Sequence, residues 1–144
     1  MEFGSLSAIG SGLGSGGFIV YDDTACIVKV AAAASRFLSR ESCGQCPPCK
    51  LGTSAIAERF DAIVAGDGNA GTMEELAAWI TRVTDSNRCG LGGGQRALAA
   101  GVMAAYWDEI AATLDGGCTH ERDVMLPSLT DYDPIAGRFD KVPA

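Results

Sequence analysis

Three cysteines at three-residue steps, Cys43, Cys46 and Cys49, stand in the stretch Glu41-Ser42-Cys43-Gly44-Gln45-Cys46-Pro47-Pro48-Cys49-Lys50. No other feature restricts the fold as much. Pro47 and Pro48 forbid an ordinary helix interior here, whereas a proline suits a helix's first turn. The stretch therefore reads as an irregular loop feeding a helix, and a loop with this spacing turns three thiolates toward one point. A fourth cysteine, Cys89, follows forty residues on, in a second irregular stretch over 86–94.

Three clustered thiolates closed by a remote fourth are the usual way to hold a [4Fe–4S] cube, each sulfur serving a different iron. The run lacks the nearby Cys-Pro of a two-cluster ferredoxin. Zinc competes, but structural zinc prefers two Cys-x2-Cys knuckles. Here the second half has one cysteine, and the sole histidine is His120. Disulfides or free thiols compete as well, since the six cysteines make an even count. Against bridges stand the absence of a secretory signal in Met1-Glu2-Phe3-Gly4-Ser5 and a chain long enough to bury its own core. Cys26 and Cys118 read as small apolar residues rather than ligands, because four thiolates already complete a cluster. Gly44 and Lys50 are candidates to support the cluster from behind, although Lys50 reads equally well as a solvated charge.

The 144 residues are 47% hydrophobic and 20% charged, the balance of one globular domain. A net charge of −7 disfavours nucleic acid and anionic membrane as partners. No apolar run approaches the ~18–20 residues of a membrane span. These features predict a cytoplasmic protein with no direct membrane insertion.

The organisation expected is all-α: a four-helix bundle with a short extended, glycine-rich N-terminal segment and an irregular C-terminal tail. The boundaries are 1–23 for the lead-in, 24–114 for the helical domain and 115–144 for the tail. Residues 10–17 carry five glycines, read as a hinge or close packing. Phe18-Ile19-Val20-Tyr21 is a candidate strand, and Asp22-Asp23-Thr24 a candidate cap for a helix over 25–39. A second helix is expected over 49–65, burying Leu51, Ile56, Phe60 and Ile63 or Val64, and ending at Gly66-Asp67-Gly68. Thr72-Met73-Glu74-Glu75 reads as a capping box opening a third helix to 84, with Leu76, Trp79, Ile80 and Val83 inward. A fourth helix over 95–114 would bury Leu98, Val102, Ala105, Tyr106 and Ile110. Gly92-Gly93-Gly94 would let backbone approach a cluster or end a turn.

The motif Glu41-Ser42-Cys43-Gly44-Gln45-Cys46-Pro47-Pro48-Cys49-Lys50-Leu51-Gly52-Thr53 resembles the C-terminal iron–sulfur domain of the flavin- and NADH-binding subunit of respiratory complex I. Related diaphorase and NAD-linked formate dehydrogenase subunits share it. Cys89-Gly90-Leu91 matches the family's later Cys-x-Leu element, and the resemblance extends over about residues 1–114. It implies Cys43, Cys46, Cys49 and Cys89 as ligands, with Lys50 standing where the family has arginine. It also implies one-electron transfer from reduced flavin to a cluster in a neighbouring iron–sulfur subunit. FMN and NAD are then expected only in a flavin/NADH-binding domain or subunit outside this sequence, which begins where the family's flavin domain has ended. Such an assembly would place the chain on the cytoplasmic face of a membrane-bound complex. The alternative is a zinc-stabilised helical adaptor with no redox role.

Overall fold

The computed structural model describes residues 3–142 apart from 10, 11, 13, 15, 17, 125 and 127. The hinge expected over 10–17 falls largely outside the described residues, as do Met1, Glu2, Pro127 and Pro143. Among the described residues there are six helices and one hairpin: α1 (Phe3–Ala8), α2 (Ile27–Glu41), α3 (Pro47–Ala65), α4 (Ala70–Arg82), α5 (Leu91–Ala105), α6 (Trp107–Gly116), β1 (Ser128–Asp133) and β2 (Arg138–Val142). The molecule is mostly helical.

Helix α3 is the centre of the core. Its buried residues Cys49, Thr53, Ile56, Phe60 and Ile63 recur at three- and four-residue steps, one face of a helix. Against them lie Val28, Ala31 and Ala32 of α2, Leu76 and Ile80 of α4, Val83, Ala99 of α5 and Ile110 of α6. The alanines let α2 approach α3 closely, and these two helices share the largest interface between helices. Gly52 meets Val83 directly: a Cβ there would stand 2.9 Å from the valine side chain. Leu51, expected inside, is 60% exposed, because α3 turns the 49–53–56 stripe inward and leaves position 51 off it.

Several local expectations give way to tertiary context. Residues 18–20 form no strand and are exposed, for β-prone residues pair only where a partner edge exists. The lead-in instead contains α1. Asp22 does not cap α2; it accepts hydrogen bonds from Thr24 N–H and Oγ1, and Cys26 occupies the N-cap without a side-chain bond. The capping box of α4 is formed by Asn69 and Thr72, one turn ahead of the expected one. The single helix over 95–114 is two helices, α5 and α6, divided at Tyr106. The break turns Ile110 into the core and leaves Ala105 and Tyr106 exposed. The irregular tail contains an antiparallel hairpin, in which Asp133 Oδ1 accepts from the amides of Ile135 and Ala136 to fix the turn. Tyr132 and Phe139 pair across it at 5.0 Å between ring centres.

Candidate metal centre

The loop that joins α2 to α3 and the loop that joins α4 to α5 meet at one end of the helices. Helix α2 stops at Glu41, Gly44 turns the chain at φ +79°, and Cys46 takes the N-cap position of α3. Pro47 and Pro48 fill the first turn of α3, where missing N–H groups cost nothing. Cys49 is therefore carried on the rigid helix, on its inward stripe. On the other side, Asn87 Nδ2 donates to Val83 O at 2.6 Å and fastens the loop to the end of α4. Gly90 then caps α5, which starts at Leu91, earlier than the glycine run suggests. Gly92 opens that helix instead of ending a turn, and it fits there for a steric reason. A Cβ on it would stand 2.1 Å from Asn87 Nδ2 and 2.6 Å from Val83 O.

Cys43, Cys46, Cys49 and Cys89 line a single cavity of about 140 Å³, together with Glu41, Ser42, Asn87 and Leu91. Cys46 and Cys49 are buried at its floor, whereas Cys43 and Cys89 are exposed at its mouth. The Arg88 amide donates to Cys46 Sγ at 3.4 Å across the two loops, and Ser42 Oγ lies 3.6 Å from Cys49 Sγ. Lys50 does not face the thiols: its Nζ donates to Ser39 O at 3.1 Å, tying α3 to the last turn of α2.

This donor set suits an iron–sulfur cube better than one ion. A cavity of about 140 Å³ is far larger than the roughly 15 Å³ that admits a single water. Tetrahedral zinc with bonds of about 2.3 Å would hold its sulfurs only about 3.8 Å apart. Among the described residues, the one group of three His, Cys, Asp or Glu whose ligand atoms all lie within 4.8 Å of one another is found elsewhere. Two helix N-termini, those of α3 and α5, begin at this cavity, immediately after Cys46 and Gly90. Their unpaired first-turn amides and positive dipole ends favour the negative charge that four thiolates and a cluster bring.

That other group is Cys26, Cys118 and His120, at the opposite end of α2. Neither cysteine is among the ligands expected from the sequence, and the Cys-x-His spacing of 118–120 is the signal in it that points to them. Cys26 is 2% exposed, and Cys118 Sγ lies 3.8 Å from His120 Nδ1. Burial, and then the neighbouring Cys118 sulfur, push the Cys26 thiol above its usual range. Nearby, hydrogen bonds from the Thr24 hydroxyl and amide, with the charge of Arg122, hold the Asp22 carboxyl below its usual range.

Residues 29–113 match the family described as the NADH-ubiquinone oxidoreductase-F iron-sulfur binding region. The chain is 40% identical over 105 residues to an F-type NADH-quinone oxidoreductase subunit of Rhizobium meliloti, covering 73% of this chain and 24% of that protein. It is 32% identical over 115 residues to the NADP-reducing hydrogenase subunit HndC of Solidesulfovibrio fructosivorans, covering 80% and 24%. Among solved structures, an NAD+-reducing [NiFe]-hydrogenase in the H2-reduced state aligns with a TM-score of 0.63 at 30% identity, covering 67% of this chain and 17% of that one. The chain thus spans about a quarter of the length of the curated relatives it matches. The matched span contains both cysteine loops and most of α2 through α6, and the chain belongs to the NADH-ubiquinone oxidoreductase-F iron–sulfur binding family.

Proposed function

We propose that Cys43, Cys46, Cys49 and Cys89 hold one [4Fe–4S] cluster, and that the chain relays single electrons from a reduced flavin to a neighbouring iron–sulfur subunit. The observation that carries this reading is the convergence of both cysteine loops on one cavity beneath two helix N-termini. Membership in an iron–sulfur binding family supports it, as do relatives named as subunits of NADH- and NADP-linked oxidoreductases. When bound, the cluster supplies a one-electron redox centre.

The protein's part is to position, to insulate and to tune. Helices α2 to α5 form a four-helix frame that brings the two loops to one end. Cys46 and Cys49 seat the sulfurs at the buried floor, where low dielectric shapes the potential. The Arg88 amide donates to Cys46 Sγ, and donors to sulfur raise a potential by favouring added negative charge. Cys43 and Cys89 form the open edge, the side from which an electron partner gains the shortest approach. The flavin and nicotinamide sites belong to a separate domain or subunit, on the cytoplasmic face of a membrane complex in the complex I setting. No helix among the described residues is long and apolar enough to cross a membrane.

The deciding experiment is iron and sulfide analysis of anaerobically purified protein, with electron paramagnetic resonance after dithionite reduction. A brown protein with about four irons and four sulfides per chain, and a reduced-cluster signal, is expected. A colourless protein holding zinc on four sulfurs would establish the adaptor reading in its place.

A further inference from the structure

We propose that Cys26, Cys118 and His120 form a second metal site, separate from the cysteine cavity, that binds one zinc ion. Their ligand atoms all lie within 4.8 Å of one another. Cys118 Sγ and His120 Nδ1, at 3.8 Å, already stand near the separation that two ligands of a tetrahedral zinc require, about 3.4–3.8 Å from the usual bond lengths.

The three residues come from distant parts of the chain and are held by independent contacts. Cys26 is fixed at the N-cap of α2, its carbonyl accepting from Val30 N–H at 3.0 Å. Cys118 is placed by a tight crossing of two turns, where a Cβ on Gly66 would meet Gly117 N at 2.9 Å. Both glycines have positive φ, +78° and +75°. The Cys118 amide then donates to Val64 O at 2.9 Å, fastening the segment to the end of α3. His120 is held through its backbone carbonyl, which accepts from Lys29 Nζ at 2.6 Å. Arg122 completes the fastening with bonds to Asp22 Oδ1 at 2.7 Å and Thr24 Oγ1 at 3.2 Å.

The chemistry selects the metal. Two thiolates and an imidazole suit zinc, whereas magnesium and calcium take oxygen donors. An iron–sulfur cube needs four thiolates with wider separation. Two thiolates also neutralise a divalent cation, so the buried Cys26 sulfur acquires no net charge in its apolar surroundings. Three protein ligands leave a fourth tetrahedral position for water. The site lies a full length of α2 from Cys43, roughly 22 Å for 15 residues, so it is distinct from the cysteine cavity. Zinc there joins the 117–122 segment to the start of α2 and the end of α3.

The test uses the full chain, purified anaerobically, exposed to zinc chloride and then dialysed against a weak chelator. Retention of about one zinc per chain beyond the iron is expected. Its zinc-edge absorption spectrum should show two sulfurs at about 2.3 Å and lighter ligands at about 2.0–2.1 Å. His120→Ala, at an exposed residue the fold tolerates, and Cys118→Ser should each lower zinc retention at least about tenfold, the scale on which even supporting residues act at metal sites. Iron content should stay unchanged in both. Failure to retain zinc, a shell of four sulfurs, or unaltered retention in both variants would overturn the proposal. So would a Cys26–Cys118 disulfide in the anaerobic protein.

Discussion

Gly92→Ala is a small change with a large expected effect. The new methyl group would stand 2.1 Å from Asn87 Nδ2, 3.3 Å from Asn87 Cγ and 2.6 Å from Val83 O. The amide side chain can swing away, but the carbonyl is backbone at the end of α4. If Asn87 swings, the 2.6 Å bond that fastens the 87–89 loop to α4 is lost. Asn87 Oδ1 is already buried without a partner, so the side chain has little to fall back on. Overpacking costs about 1–3 kcal/mol and the broken bond about 1 kcal/mol, against about 1 kcal/mol regained from replacing glycine in a helix. The balance is a loss of about 2 kcal/mol, or roughly 6 °C in melting temperature for a domain of this size. The loop that moves carries Cys89 and the Arg88 amide bonded to Cys46 Sγ, so iron retention should fall together with stability. Gly93 is the internal control: nothing lies within 4 Å of its Cβ position, and Gly93→Ala should stabilise by up to about 1 kcal/mol. The assay is thermal unfolding by circular dichroism in anaerobic buffer, with iron counted on the same samples. Equal melting of the two variants, or equal iron loss from both, would refute the steric reasoning.

Cys46→Ser, at the buried floor of the cavity, should abolish iron binding, while Cys26→Ser and Cys118→Ser retain it; elemental analysis separates these outcomes. Phe60→Ala, at a fully buried residue in the centre of α3, should cost about 3–5 kcal/mol by denaturant unfolding, and a cost below about 1 kcal/mol would mean that the core is placed wrongly. Removal of iron should leave most of the helix intact, because the apolar stripe of α3 does not depend on metal. It should speed hydrogen exchange in the 42–46 and 86–90 loops, and a complete loss of helical circular dichroism would show that the core cannot stand alone.

The features legible in the residues alone are those governed by near neighbours. The Cys43–Cys46–Cys49 spacing, the two prolines at the start of a helix and the three- and four-residue recurrence of Ile56, Phe60 and Ile63 are local, and each constrains its own segment whatever surrounds it. The stop at Gly66 is of the same kind, since the left-handed conformation there favours glycine. Which residues separated by forty or ninety positions meet is set by the packing of the helices, out of reach of any local pattern. That Arg88 donates to a sulfur at Cys46, and that Cys26 lies beside Cys118 and His120, depend on how the helices pack. The division of the last long helix at Tyr106 and the strand that fails to form at 18–20 have the same origin. Propensity is worth tenths of a kcal/mol per residue, and burying Ile110 or lacking a partner edge outweighs it.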